Sequence, residues 1–279
     1  MPDLLFHIIF PLLIAVSFKI KNWKLLITGA ILPDLSRILM IFFNYLGFDQ
    51  LKTFVFFEPM HTPFINIFLS LSIALLFINP IKNFLIIYFG VVTHLILDLF
   101  QYAGSFGHIL FYPFYYKEYA LNIIYGGNIF IPLVGLLILI PDLFLLKEKN
   151  SLNFSKKFYY SLIPLVIILI FLISTRNSLI ENNVHGTNFI LNPELYINHE
   201  VSLYNSKVIS LNPLQLDEMG RIFNLKYDKK LELNSIITID GVYKENKIEV
   251  SSVFFNNLNK YYFSIIGLLF YLYLIIKKD

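Results

Sequence analysis

Seven apolar segments occupy most of this chain, and they constrain its fold more than any other feature. A helix needs about 20 consecutive apolar residues to span a bilayer, and several of the segments approach that length. The mean hydropathy is +0.66 and only 15% of the residues are charged. The pattern predicts a polytopic α-helical membrane protein of about seven segments. These cover approximately residues 4–18, 25–46, 64–78, 84–102, 128–146, 158–174 and 261–276.

The positions of the lysines predict an orientation. Lysines gather after segments one, three, five and seven, whereas the other short loops contain only Lys52 and Lys117. Because cytoplasmic loops are enriched in basic residues, we expect the N-terminus outside and the C-terminus in the cytoplasm. The first segment lacks a preceding basic region and a small-residue cleavage site, so we interpret it as a retained helix. The expected location is the inner or plasma membrane, which the chain crosses several times.

Residues 175–260 are polar and asparagine-rich, and they contain no long apolar run. Residues 235–243 and 247–255 are β-prone runs around a short polar turn, which is typical of a hairpin. Further strands are expected around 187–191 and 201–211. The sequence thus predicts three parts: a helical membrane domain over 1–174, a small, mainly-β and OB-like extracytoplasmic domain over 175–260, and a last transmembrane helix within 261–279.

Composition excludes several kinds of site. The chain has no cysteine, so it contains no disulfide, no thiolate metal site and no cysteine nucleophile. The net charge of +3 is small and scattered, which gives no argument for a nucleic-acid partner. Membrane lipids are the partners that the sequence implies, and no protein partner of the β domain can be named.

Ionisable residues interrupt the apolar segments. His94 and Asp98 lie four residues apart within segment four, a spacing that puts both side chains on one face of a helix. Ionisable groups at membrane depth are costly, so they usually mark a functional site. On the predicted topology, the other polar residues of the outer half can converge on the same cavity. They are His7, Asp34, Arg37 and His61.

Histidine and aspartate together are good ligands of zinc and similar divalent ions. The set therefore predicts a site for one or two divalent metal ions, with zinc as the expected metal. A structural alternative is that these groups only pair with one another, and Asp34 and Arg37 have the i, i+3 spacing for such a pair. Functionally, the planar guanidinium of Arg37 suits a phosphate group instead.

The order of these motifs resembles a family of prokaryotic inner-membrane proteins, the LexA-binding metal-dependent hydrolases. The resemblance covers roughly residues 1–140. It rests on His7, the Leu-Pro-Asp motif that ends at Asp34, His61-Thr62, the His94-x-x-x-Asp98 motif, and a turn with glycine and proline that leads to Pro113. The resemblance implies a membrane-embedded hydrolase that depends on a divalent metal.

A more distant likeness is to the helical zinc-dependent phospholipase C and P1 nuclease group. It implies that one metal is held by Asp34, His61, His94 and Asp98. It also implies that Asp98 bridges to a second ion together with His7, and that His108 is a candidate ligand. The glycine-rich turn around His108 by itself favours a solvated loop residue.

Two positions depart from the family pattern. Ser36 stands where the family usually has a second acid, and residues 56–60 lack the usual histidine and arginine. Glu58, within that stretch, can replace them as a ligand or as a base. The closing His-x-x-x-Glu pair of the phospholipase group is not visible either, which argues against a full three-metal site.

Three functions follow from these observations. The leading one is a metal-dependent hydrolase that acts on a lipid or lipid-linked phosphoester, with Glu58 and Arg37 as candidate catalytic residues. The second is a transporter or ion-conducting protein, in which Asp34, His94 and Asp98 form a relay. The third is an inert membrane anchor that displays the β domain to a partner.

Overall fold

The computed structural model describes residues 4–102, 106–125, 134–135, 138, 154–255 and 259–276. Predicted segment five therefore lies almost entirely outside the described residues. The helices are α1 Leu4–Ser17, α2 Trp23–Ile31, α3 Leu35–Tyr45, α4 Gln50–Phe57, α5 Pro63–Leu75, α6 Pro80–Phe100, α7 Leu162–Glu181, α8 Thr187–Leu191 and α9 Asn259–Ile276.

Within the described residues, three helical stretches are long and apolar enough to cross a membrane: Trp23–Tyr45, Pro80–Phe100 and Phe158–Glu181. A fourth is added if Gln50–His61 and Pro63–Leu75 are counted as one span, which is bent by 73°. The prediction of membrane helices is thus confirmed in this coarser form, but seven spans are not. Leu4–Ser17 and Tyr262–Ile276 are apolar but shorter than a membrane span. Their 14 or 15 helical residues extend only about 20 Å.

Proline-containing breaks interrupt two of these helical stretches. Leu32–Asp34 forms a 3-10 turn between α2 and α3, and Glu58–His61 forms another between α4 and α5. Each break contains a proline, which has no N–H to continue the helical ladder. The two turns contact each other. Within helices that are long and apolar enough to cross a membrane, irregular backbone is tolerated where protein buries it or where it lines a cavity, so the breaks indicate a polar interior.

Two glycines set the spacing between α2 and α6. A methyl group on Gly29 would overlap the carbonyl oxygen of Ile87, and one on Gly90 would overlap the carbonyl oxygen of Leu26. Small residues let helix backbones approach this closely in membranes. As a consequence, backbone atoms of α2 come within hydrogen-bonding reach of side chains on α6.

A closed five-stranded barrel follows the apolar helices. A two-stranded parallel pair, Gln101–Tyr102 (β1) with Ile124–Tyr125 (β2), lies outside the barrel. The barrel strands are β3 Glu200–Leu211, β4 Leu214–Glu218, β5 Arg221–Lys226, β6 Ile236–Lys244 and β7 Lys247–Phe255. Their order is β3-β4-β5-β7-β6, and β3 pairs with β6 to close the barrel; all neighbours are antiparallel except β5 and β7, which are parallel.

The barrel confirms a mainly-β domain and the predicted hairpin over 235–243 and 247–255. The strand expected at 187–191 is wrong, because these residues form the short helix α8. The side chain of Asn183 explains the difference: its Oδ1 accepts hydrogen bonds from the backbone N–H groups of Asn188 and Phe189, at 2.9 and 3.1 Å. This local capping outweighs the β propensity of the run. Strands β4 and β5 were not predicted.

Candidate metal centre

The side chains predicted to bind metal meet in the interior of the helical part. Asp98 lies at the centre, with His7, His61 and His94 around its carboxylate, and all four are at least 98% buried. The ligand atoms form three mutually close groups, each within 4.8 Å: His7 with His94 and Asp98, Asp34 with His61 and His94, and His61 with Asp98 and His108. The six residues come from α1, α6, both 3-10 turns and the loop after α6.

The orientation of His94 is set by the close packing of α2 and α6. Its Nδ1 atom lies 2.6 Å from the carbonyl oxygen of Ala30, the residue that follows Gly29. On the other side of the ring, Nε2 lies 3.0 Å from Oδ2 of Asp98 and 4.0 Å from Oδ1 of Asp34. A histidine whose second nitrogen is fixed by a backbone carbonyl is typical of metal sites, because that contact sets the tautomer.

His61 is arranged in the same way by the second helix break. Its Nδ1 atom lies 3.1 Å from the carbonyl oxygen of Pro33, and its Nε2 atom lies 2.6 Å from Oδ2 of Asp98. The carbonyl of Pro33 also accepts a 2.8 Å hydrogen bond from the hydroxyl of Ser36. Ser36, which stands where the resembling family has an acid, therefore supports the turn that orients His61.

These contacts restrict where protons can be. A carbonyl oxygen only accepts hydrogen bonds, so Nδ1 of both His61 and His94 must carry the hydrogen. In a neutral ring the Nε2 lone pair then faces Asp98, and two acceptors repel unless a proton or a metal ion lies between them. A proton fits between His61 and Asp98, but Nε2 of His94 makes no hydrogen bond in this arrangement.

Several further buried atoms of the cluster lack hydrogen bonds among the described residues. They are Oδ1 of Asp34, Oδ1 of Asp98 and both ring nitrogens of His7, although Nε2 of His7 lies 3.3 Å from Oδ1 of Asp98. The rings of His7 and His94 are stacked, with centroids 3.7 Å apart. Protonating both stacked rings would place two positive charges in contact, so added protons are a costly way to satisfy the cluster.

His108 belongs to the cluster and is not a solvated loop residue. Its ring stacks on that of His61 with centroids 5.3 Å apart, and burial lowers its pKa to about 3. Paired backbone hydrogen bonds with Tyr119, of 2.8 and 3.0 Å, fix the loop that carries it. His108 is half-buried, and a neutral imidazole of this kind is able to bind a metal ion.

The donor set fits a divalent metal ion. Four imidazoles and two carboxylates share the three ligand groups, and nitrogen and oxygen donors of this kind bind zinc at about 2.0–2.2 Å. Neighbouring ligand atoms around a tetrahedral ion are then about 3.4 Å apart, which resembles the 3.0 and 3.3 Å separations of His94 and His7 from Asp98. The unpartnered atoms are the ones that an ion would satisfy.

Arg37 and Glu58, the predicted catalytic residues, form an ion pair beside the cluster. Nη1 of Arg37 lies 2.8 Å from Oε2 of Glu58, and Nη2 lies 3.4 Å from Oε1. Glu58 is only 1% exposed. Among the described residues, Glu58 joins none of the three ligand groups. The structure thus pairs Arg37 with Glu58, whereas the sequence had suggested Asp34.

No sequence motif assigns a role to His185, yet the structure places it against this pair. Nε2 of His185 lies 3.4 Å from Oε1 of Glu58, and Nδ1 lies 3.8 Å from Oε2 of Glu118. Burial opposes protonation of His185, but Glu118 and Glu58 outweigh it and raise its pKa. No local motif connects residues 58, 118 and 185, so only the tertiary structure brings them together.

Comparisons with known proteins add no relative: no family model matches the chain, and no curated protein or solved structure is significantly similar to it. The resemblance suggested by the motifs stays a prediction.

Proposed function

We propose that this protein is a membrane-embedded, metal-dependent hydrolase. One observation carries the proposal: His61 and His94 each turn Nδ1 to a backbone carbonyl and Nε2 to the same carboxylate oxygen of Asp98. A proton satisfies only the contact of His61 with Asp98, whereas one cation would satisfy both rings, because neutral rings present lone pairs there. We infer one or two divalent ions, with zinc preferred for a nitrogen- and oxygen-rich donor set.

In this proposal, some residues bind the metal ion and others take part in the reaction with the substrate. His7, His61, His94, His108 and Asp98 would hold the metal, which when bound would lower the pKa of a coordinated water and polarise a phosphoryl oxygen. Asp34 would then serve as the base for that water instead of as a ligand, because its Oδ1 is buried and has no hydrogen-bond partner among the described residues. A carboxylate in that position is a suitable general base.

Glu58 receives a different role from the one that the sequence suggested. A carboxylate paired with a guanidinium is a weak base, since proton binding would break the ion pair. We therefore assign Glu58 to holding Arg37, and Arg37 to binding an anionic oxygen of the substrate with the guanidinium N–H that Glu58 leaves without a partner. Nε of Arg37 is buried and has no partner among the described residues, which leaves a donor for that oxygen.

A phosphoester of a lipid or a lipid-linked molecule is the proposed substrate class. The cluster lies among helices whose other faces expose large apolar side chains, such as Ile38, Ile41 and Ile96. A substrate that is held in the bilayer can approach such a site laterally. The chain is then a membrane protein oriented as the lysines predict, with the barrel, whose strand order supports the OB-like interpretation, outside.

The helix breaks also favour a second candidate, a transporter. Discontinuous helices whose unwound backbone lines an ion site are common in transporters, and both Leu32–Asp34 and Glu58–His61 are such breaks. A transported ion must leave readily, whereas a catalytic ion is retained.

One experiment separates the two candidates. The full chain is purified, loaded with zinc, passed through a desalting column, and assayed both for hydrolysis of phosphatidic acid in vesicles and for zinc uptake into sealed liposomes. The hydrolase proposal expects retained zinc and phosphate release that chelation removes, and both should be lost in His94→Ala but not in His199→Ala. Zinc uptake without phosphate release would support the transporter.

A further inference from the structure

We propose that His185 is a positioning residue for the metal centre: from the connection that leads into the barrel it holds Glu58, and Glu58 holds Arg37 beside the ligand cluster. The inference rests on the proposed function for the metal centre and for the anion that Arg37 would bind. The chain of contacts itself runs through side chains whose positions are described above.

The backbone at His185 is held in a conformation that few residues adopt. His185 lies in the turn Val184–Gly186 between α7 and α8, and its φ is 50°. A non-glycine residue in the left-handed region is uncommon, and its surroundings must hold it there. Here the backbone N–H of His185 donates a 2.7 Å hydrogen bond to Oε1 of Glu118, whose Oε2 accepts another from Gly107.

The ring of His185 is enclosed by aromatic side chains. Phe106 lies parallel to it at a centroid distance of 5.7 Å, and Phe54 meets it edge-on at 5.5 Å. Tyr204, from barrel strand β3, lies 6.0 Å away. Because this enclosure excludes water, the attraction between His185 and the Glu58 carboxylate is stronger than it would be at a surface.

The contacts then continue inward to Arg37. Glu58 has its Oε1 atom 3.4 Å from His185 and uses both oxygens toward the guanidinium. Arg37 follows Asp34 by three residues on the same helical face, so a guanidinium held by Glu58 stays next to a residue of the cluster. The row of alternating charges is Arg37, Glu58, His185 and Glu118.

A buried row of charges is weak evidence for stability, because desolvation offsets much of the attraction. Its geometric effect is more specific. Nη2 of Arg37 donates a hydrogen bond to Glu58, and Nη1 lies 2.8 Å from the other Glu58 oxygen while it donates to the sulfur of Met40. These contacts set the orientation of the guanidinium and leave its Nε–H without a partner among the described residues. The turn that leads into the barrel therefore takes part in shaping the site.

Arginine NMR tests this proposal directly, because the chain contains only three arginines: Arg37, Arg176 and Arg221. The full chain is labelled with ¹⁵N-arginine in detergent micelles, and the Nε–H resonance of Arg37 is identified by its loss in Arg37→Lys. In His185→Ala we expect that resonance to shift or broaden. In His185→Gln we expect it near the wild-type position, because the glutamine amide can donate a hydrogen bond to the Glu58 carboxylate that lies 3.4 Å from the His185 ring. His199→Ala, in an exposed position before the barrel, is the matched control and should change nothing.

The Nε–H resonance of Arg221, which lies in the barrel, shows whether each variant is folded. If His185→Ala loses that signal too, Glu118→Gln replaces it, since this variant weakens the hold on His185 while the ring remains. An unchanged Arg37 resonance in a folded His185→Ala or Glu118→Gln variant would overturn the proposal.

The second readout uses inorganic phosphate as the probe of Arg37. In zinc-loaded protein, the phosphate concentration that half-shifts the Arg37 resonance should rise roughly tenfold in His185→Ala and recover in His185→Gln. A protein that binds no zinc but still shows the His185-dependent Arg37 resonance would refute the proposed function and support the positioning role. Tight zinc binding with equal phosphate affinity in all variants would refute the positioning role alone.

Discussion

Nε2 of His61 and Oδ2 of Asp98 lie 2.6 Å apart, although the two residues are 37 positions apart in the chain and sit on different helical elements. The opposite nitrogen of the same ring faces the carbonyl of Pro33 at 3.1 Å. The imidazole is thus fixed from both sides, which prepares its Nε2 lone pair for a cation and leaves the ring little freedom to turn away.

The glycine contact between α2 and α6 should be required for metal binding. Gly90→Ala adds a methyl group that overlaps the Leu26 carbonyl, so the helices must separate and the contact of His94 with Ala30 must lengthen. We expect a loss of stability of about 1–3 kcal/mol and weaker zinc binding. Thermal unfolding and zinc titration measure both effects. Ile96→Ala, on the exposed face of the same helix, is the control; equal behaviour of the two variants would contradict the role of the glycine.

The Arg37–Glu58 pair should show strong coupling. Arg37→Met leaves the buried carboxylate of Glu58 without its guanidinium, which should lower the free energy of unfolding by about 3–5 kcal/mol. Adding Glu58→Met should restore part of that loss, since no buried charge then lacks a partner. A double-mutant cycle from denaturant unfolding in micelles gives the coupling energy. Additive effects of the two substitutions would argue against a functional ion pair.

The barrel should become less stable as the pH rises. Burial raises the pKa of Glu218, whose side chain accepts a 2.5 Å hydrogen bond from Ser206, from the usual 4.5 to about 8. Above pH 4.5 the unfolded chain releases this proton while the folded barrel keeps it. Stability therefore falls between pH 4.5 and about 8, by up to about 1.4 kcal/mol per unit, and is level above that.

Thiol labelling measures this effect, because the chain has no cysteine of its own. Val208 is fully buried in the barrel, so a Val208→Cys variant reacts only when the barrel opens. After correction for thiolate formation with a short cysteine peptide, labelling should be faster at pH 8 than at pH 5. Adding Glu218→Gln should abolish the difference. A pH dependence that persists in this double variant would assign it to another group.

The predicted orientation can be tested at exposed lysines. Cysteines that replace Lys21 or Lys82 should be protected from a membrane-impermeant reagent in intact cells, whereas cysteines that replace Lys117 or Lys247 should be labelled. All four side chains are exposed in the structure, so burial within the protein does not confuse the result. Labelling at Lys82 together with protection at Lys247 would invert the topology and place the barrel in the cytoplasm.

Local patterns predicted part of this structure and tertiary contacts decided the rest. His94 and Asp98 share one helix, so their spacing alone placed them on one face, and the predicted topology brought Asp34 and His61 to the same depth. The contacts of His185 with Glu58 and Glu118 join residues at least 67 positions apart. The hydrophobic periodicity of a sequence predicts helices and strands, but it does not predict contacts between such distant residues. The apolar segments likewise predicted helices, but not the bend of 73° before α5.

The central claim is that Asp98 and the surrounding histidines hold a divalent metal, and metal analysis of matched variants tests it most directly. Wild type, Asp98→Asn and His199→Ala are purified in the presence of zinc, desalted, and analysed for bound zinc by mass spectrometry. We predict one or two zinc ions per chain in wild type and in His199→Ala, and a loss of at least about tenfold in zinc affinity in a folded Asp98→Asn variant. Equal zinc in all three proteins, or none in wild type, would contradict the claim.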